Sequence, residues 1–174
     1  MNQLISEFIH HLRPNSTVVD LGSGPGQYSK KLLDHGHQVI AVDKKIVLDT
    51  PGIDFRHQTI QDFITNLPSG FKADGWLLKN VIQFIDKEYI LNTLIPTLKA
   101  HTNPNGVIAI ETFFKDPEPS FGRPFTSYFF LSDLTPLFSD WTVQLKEEEI
   151  RENMDMSGNV RNFAVTTLVT ISKS

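Results

Sequence analysis

The stretch Asp20-Leu21-Gly22-Ser23-Gly24-Pro25-Gly26 decides how this sequence is read. Immediately before the glycines, Thr17-Val18-Val19-Asp20-Leu21 is a short apolar run, the pattern of a buried strand. Immediately after them, Tyr28 to Leu33 reads as a helix, with Gly36 at a C-terminal cap position. A glycine loop between a buried strand and a helix is the first crossover of a doubly wound sheet. Ligands of such sheets bind beyond the carboxyl ends of the strands. Glycine is needed there because a side chain blocks approach of a ligand to the backbone, and because the turn demands unusual dihedrals. Pro25 stiffens the loop further.

The alternation of strand and helix continues outward from this loop. Met1 to Leu12 carries Leu4, Ile5, Phe8, Ile9 and Leu12 at helical spacing, and Pro14 stops that pattern. Gln38 to Asp43 is a second strand that finishes on a carboxylate, and Ile53 to His57 a short third. Ile60 to Ile64 reads as a short helix, and Gly75 to Leu78 as an apolar strand. A stronger helix is expected from Asp86 to about Ala100, with Ile90, Leu91, Leu94, Ile95 and Leu98 on its buried side. Asn103-Pro104-Asn105-Gly106 reads as a turn before the strand Val107 to Ile110, and Leu131 to Phe138 as another helix. Trp141 to Ile150 and Asn162 to Ile171 have no helix between them and read as an antiparallel pair. Apolar strands alternating with helices predict a mostly parallel sheet covered on both faces, closed by a late hairpin.

Composition narrows the function classes. The 174 residues contain no cysteine, which excludes a disulfide scaffold, thiolate metal sites and a cysteine nucleophile. Sixteen Lys and Arg against twenty Asp and Glu give a net charge of -4, without the basic excess that phosphate-backbone binding needs. No apolar run approaches the ~18–20 residues of a membrane span. The N-terminal stretch carries Glu7, His10 and His11 and does not read as a secretory signal. The expectation is one cytoplasmic domain over residues 1–174. The six histidines show no metal-ligand spacing, and no metal is expected.

The glycine spacing selects among ligands. A dinucleotide fingerprint requires Gly-x-Gly-x-x-Gly, but here the third glycine comes one position early and Gln27 stands in its place. No Gly-Lys-Ser/Thr follows, so the loop is not a P-loop. With Asp20 two positions before the first glycine, the segment resembles the first motif of class I S-adenosylmethionine-dependent methyltransferases. That resemblance implies a Rossmann-like three-layer sandwich, with a seven-stranded, mostly parallel sheet of order 3-2-1-4-5-7-6 and an antiparallel strand 7. It also implies S-adenosyl-L-methionine as cofactor, held by Asp20, Gly22, Ser23, Gly24 and Gly26.

Further segments extend the resemblance over nearly the whole chain. Asp43 ends the second strand where the family carries an acidic residue that accepts from both ribose hydroxyls, and Lys44 follows it. A carboxylate suits a vicinal diol because its two oxygens take two donors. In His57-Gln58-Thr59-Ile60-Gln61-Asp62, Thr59 stands near the position that reads the adenine amine and Ile60 at the position that packs on the ring. Gln61 or Asp62 are substitutes for that polar group, and Asp62 reads equally as a helix-start residue. Lys79 and Asn80, after the fourth strand, correspond to the segment under the methionine part of the cofactor. They are expected to act mainly through backbone atoms.

In this family the cofactor brings its own leaving group, so protein groups contribute mainly alignment and no catalytic residue need be visible. The Asp/Asn-Pro-Pro-aromatic motif of many nucleobase methyltransferases is missing, since Lys79-Asn80-Val81-Ile82 stands there instead. Together with the acidic balance, this argues against nucleic acid as the acceptor. Little chain precedes the first strand to build a cap, so the expected acceptor is small, or an exposed group on a larger partner, with a small-molecule acceptor favoured. Phe113 to Phe130 is rich in aromatic residues and broken by Pro117, Pro119, Gly122 and Pro124, the composition of a substrate-facing lid with Lys115 and Arg123 as anion contacts. Aromatic packing over the sheet is the competing reading of that segment. Gln83, Phe113, Arg123 and Tyr128 are the substrate-contact candidates. The layout is similar to small tellurite-resistance-type methyltransferases, with Leu134-Thr135-Pro136-Leu137-Phe138 as the short helix after the insertion. Glu147-Glu148-Glu149 reads as an exposed edge. A non-catalytic binding protein that keeps the fold is the alternative function.

Overall fold

The computed structural model describes residues 3–119, 125–155 and 157–173. In chain order the elements are α1 (Gln3–His11), β1 (Thr17–Leu21), α2 (Gln27–Asp34), β2 (Gln38–Asp43), β3 (Ile53–His57), α3 (Ile60–Thr65) and β4 (Ala73–Lys79). They are followed by α4 (Lys87–Tyr89), α5 (Ile95–Ala100), β5 (Thr102–Phe113), α6 (Leu131–Leu134), β6 (Thr142–Met154) and β7 (Val160–Ile171). One seven-stranded sheet has the order β3-β2-β1-β4-β5-β7-β6. Strands β1 to β5 run parallel, and β7 is antiparallel to both of its neighbours. This is the expected topology, reversed last strand included.

Two apolar layers hold the sheet between helices. On one face Val18, Val39, Leu77, Val107, Ala109 and Val169 pack against Leu4, Ile5 and Phe8 of α1 and Leu32 of α2. On the other, Val19, Leu21, Trp76, Leu78, Ile108, Ile110 and Leu168 meet the helices after β3, β4 and the β5 insertion. The two-residue alternation of strand side chains explains why consecutive apolar residues supply both faces. Trp76, the largest fully buried side chain, places its indole N–H on Thr102 Oγ1 at 3.0 Å, so its one polar atom is satisfied.

Local chemistry accounts for the details. Helix α2 ends in a Schellman motif: Gly36 N–H donates to the Leu33 carbonyl and His37 N–H to that of Leu32, with Gly36 at φ 83°. The long helix expected from Asp86 to Ala100 is present with a π turn, Ile90–Leu94, between α4 and α5. Pro96 explains the interruption, because it lacks an N–H and its ring clashes with the carbonyl four residues back. The expected Asn103–Gly106 turn sits inside β5 as an irregularity: Thr102 pairs with Ala73 and Val107 with Gly75.

β5, β7 and β6 rise above the central strands. Lys79, the last residue of β4, pairs with Glu111, and β5 continues beyond it to Phe113, opposite Val165. The β6–β7 hairpin extends further, to Met154 opposite Val160. The carboxyl ends of β1, β2 and β4 therefore form a recess with a wall on the β5 side.

Candidate functional site

The glycine loop lies at the floor of this recess. Gly22, Gly24 and Gly26 all have positive φ, 75°, 52° and 76°, a backbone that side-chain-bearing residues rarely adopt. Gly22 and Ser23 N–H both donate to the Val42 carbonyl, at 2.8 and 3.1 Å, which ties the loop to the end of β2. A Cβ on Gly22 would stand 2.3 Å from Val81, and one on Gly26 2.6 Å from Leu48, whereas one on Gly24 would meet, apart from its chain neighbours, no atom of the described residues within 4 Å. The loop is thus clamped at its two ends and open in the middle. Ser23 Oγ, buried beside that opening, has no hydrogen-bond partner among the described residues. A buried hydroxyl without a partner costs free energy and is the kind of group a ligand satisfies.

Two carboxylates flank the loop. Asp20 is 2% exposed and accepts from Ser29 Oγ at 2.6 Å. Burial pushes its carboxyl up to about 6, the Ser29 hydrogen bond pulls it back, and the nearby Asp43 charge raises it again. Asp43, half-buried at the end of β2, accepts Gly24 N–H on Oδ2 at 3.0 Å. Its Oδ1 accepts Lys45 N–H at 2.7 Å and Ile46 N–H at 3.0 Å. Lys44 is exposed, and its carbonyl lies 3.1 Å from His57 Nε2.

The segment after β3 uses its polar groups internally. Thr59 caps α3: its hydroxyl donates to Asp62 Oδ2 at 2.6 Å and accepts Asp62 N–H at 3.0 Å. Ile60 is buried in the core and Gln61 is exposed. Of the two readings of Asp62, the helix-start role is the one observed.

The β4 end is electrostatically the densest part of the recess. Asn80 adopts φ 55° and donates its N–H to the Glu111 carbonyl at 2.8 Å. The Lys79 side chain, 8% exposed, is ion-paired with Glu111, 5% exposed, and its ammonium lies 5.3 Å from the centre of the Tyr28 ring. Arg151 of β6 donates from Nη1 to the other Glu111 oxygen at 3.0 Å, and also pairs with Glu147 and Glu149. Glu147 and Glu148 are therefore more than an exposed edge: Glu147 accepts from Gln3 Nε2 at 3.0 Å and Glu148 from Leu131 N–H at 2.9 Å. Sequence reasoning missed Tyr28, Glu111 and Arg151. Glu111 had a signal, a lone charge ending the apolar run Val107 to Ile110. Arg151 had none, since only strand register brings it there.

The aromatic segment after β5 is fastened down where it is described. Thr126 and Ser127 N–H donate to the Gln83 carbonyl at 2.9 and 3.1 Å, and Phe129 N–H to that of Phe113 at 2.9 Å. Ser127 Oγ donates to the Ile85 carbonyl at 2.7 Å. Phe113 stacks on Phe125, with ring centres 5.0 Å apart, and meets Phe163 at 5.8 Å. Tyr128 donates its hydroxyl to Asp116 at 2.7 Å, which raises the phenol's pKa. Gln83 is buried, with Oε1 3.5 Å from Thr112 Oγ1. Gln83, Phe113 and Tyr128 are thus gathered under one roof whose residues pack on the sheet. Arg123 lies outside the described residues, and Lys115 pairs with Glu118.

Similarity to known proteins resides in the fold. No protein-family model and no curated protein sequence matches the chain. Among solved structures, TehB from Haemophilus influenzae superposes with a TM-score of 0.80 at 21% identity, over 99% of this chain and 63% of TehB. This chain therefore spans less than two thirds of the TehB length. The 1,6-didemethyltoxoflavin-N1-methyltransferase of Burkholderia thailandensis, crystallised with 1,6-didemethyltoxoflavin and S-adenosylhomocysteine, matches over 99% of this chain and 78% of its own, with TM-score 0.67 and 16% identity. The N-methyltransferase NodS from Bradyrhizobium japonicum matches over 99% and 93%, with TM-score 0.69 and 12% identity.

Proposed function

We propose that this chain, which has the fold of the class I methyltransferases, binds S-adenosyl-L-methionine in the recess and transfers its methyl group to a small-molecule acceptor. One observation carries the reading. At the carboxyl ends of β1 and β2, a loop with three left-handed glycines is open above Gly24, beside an unpartnered buried hydroxyl and a half-buried carboxylate. This set fits an adenosine-bearing ligand. Bare backbone admits it, Ser23 gains a partner, and Asp43 supplies acceptor oxygens for a vicinal diol. Three of the roughly four lone-pair positions of Asp43 are already taken by backbone N–H groups, so a diol uses the remaining one and displaces one of those donors.

When bound, S-adenosylmethionine supplies a methyl group on a sulfonium leaving group. The chain's own contribution is alignment: the clamped glycine loop sets the height of the ligand and Asp43 its lateral position. Asp20 places negative charge beneath a cationic ligand. The wall at Phe113 and the roof over Gln83 limit where an acceptor lies. Such alignment is worth up to ~7–11 kcal/mol of barrier, which needs no acid or base from the protein. The solved N-methyltransferases of this fold support a small amine or heteroaromatic acceptor as the first to test.

Calorimetric titration with S-adenosylhomocysteine tests the reading directly. Micromolar binding is expected, weakened ~tenfold or more in Asp43→Asn, because a charge-assisted acceptor is lost. No heat of binding to the folded wild-type protein defeats the proposal. Binding without transfer of labelled methyl to any of a broad panel of amines and heteroaromatics favours the non-catalytic alternative.

A further inference from the structure

The cofactor reading uses the backbone of Lys79 and leaves its buried side chain unexplained. We propose that the Lys79 ammonium is the donor that receives the carboxylate of the cofactor's amino-acid end, exchanging Glu111 for it on binding. This inference rests on the cofactor reading above.

The sheet register gives the distance argument. Asp20 pairs with Leu77, which puts Gly22 level with Lys79, while Asp43 lies on the opposite neighbour of β1. A ligand with its sugar at Asp43 that crosses the open middle of the glycine loop reaches the β4 end with its other terminus. That terminus is a zwitterion, and the β4 end is where the recess keeps its buried ion pair.

Lys79 is equipped for the exchange. An ammonium has three N–H donors. Among the described residues its hydrogen-bond partner is Glu111, while the Tyr28 ring offers only a diffuse face, 5.3 Å from ring centre to nitrogen. Donors are therefore left for an incoming oxyanion, and Tyr28, in the first turn of α2, keeps the ammonium on the loop side.

Glu111 makes the exchange tolerable. Removing one partner of a buried ion pair normally strands the other, which is strongly unfavourable. Here the second Glu111 oxygen accepts from Arg151 at 3.0 Å, so the carboxylate stays neutralised when Lys79 turns away. Arg151 is in turn held by Glu147 and Glu149.

The test compares three probes on the full chain by calorimetry: S-adenosylhomocysteine, its decarboxylated analogue 5′-S-(3-aminopropyl)-5′-thioadenosine, and 5′-methylthioadenosine, which lacks the amino-acid end. The wild-type protein should prefer S-adenosylhomocysteine over the decarboxylated analogue by ~tenfold or more, the value of a charge-assisted hydrogen bond. In Lys79→Gln that preference should vanish while 5′-methylthioadenosine binds as before, and Lys79→Arg should restore part of it. The double variant Lys79→Met/Glu111→Met, which leaves no unpaired charge in the pair, should lose the preference in the same way. A preference retained in both Lys79→Gln and the double variant overturns the inference and leaves the cofactor reading intact, as does an equal weakening of all three probes. Failure of every probe to bind the wild-type protein overturns both.

Discussion

The two ends of the recess are built on different principles. At β1 and β2, Asp43 and the loop are satisfied by backbone, with Gly24, Lys45 and Ile46 N–H groups on Asp43 and the Val42 carbonyl on the loop, while Asp20 takes one side-chain hydroxyl, that of Ser29. At β4, β5 and β6 they are satisfied by side chains: Lys79, Glu111, Arg151 and the glutamates of β6. Backbone satisfaction survives many side-chain changes but tolerates no change of dihedral. A buried ion cluster tolerates backbone variation but not loss of the carboxylate that its cations share. The first end is a rigid cradle suited to a constant ligand portion, and the second is an exchangeable contact.

The sharpest way to break this contrast is Gly22→Ala. A Cβ there would stand 2.3 Å from Val81 at φ 75°, so the loop must move. The strain amounts to about 1–3 kcal/mol of stability. Binding of S-adenosylhomocysteine should fall by more than ~100-fold in calorimetry, because the cradle itself is deformed. The matching change at the other end is Glu111→Gln, which leaves two cations about an uncharged amide. Denaturant unfolding should show a loss of about 3–5 kcal/mol, with the glycine loop unaffected.

The smallest effect is a pH dependence that separates the ends further. Asp20 has its folded-state pKa raised from 3.8 to about 6. Between those values the native state binds more protons than the unfolded chain, so stability falls as pH rises through that window, and the burial penalty is complete above it. A cationic ligand prefers the ionised carboxylate. Affinity for S-adenosylmethionine should therefore rise several-fold from about pH 5 to about pH 7.5, and Asp20→Asn should flatten the profile. Calorimetry at the two pH values checks both.

Much of the first end was legible in the sequence. Gly22, Gly24 and Gly26 mark a loop that only glycine builds, and the strands Thr17–Leu21 and Gln38–Asp43 carry apolar runs with a carboxylate at or next to their ends. The hairpin at the end of the chain was legible because no helix-period segment separates its strands. Less visible was the use of Thr59, whose hydroxyl is shared between two helix-start roles on Asp62. The aromatic segment after β5 read equally as lid or as packing, since composition does not reveal which backbone carbonyls it finds. The carbonyls of Gln83, Ile85 and Phe113 fasten it.

Sequence alone determined the order of strands and helices, the glycine cradle and the position of Asp43, because each depends on neighbours a few residues apart. Tertiary structure alone decided that Lys79, Glu111 and Arg151 meet. Their chain separations of 32 and 40 residues are bridged only by the register of β4, β5, β7 and β6. Hydrophobic periodicity sets which face a strand buries, but the rung at which distant strands align is set by packing of the whole sheet.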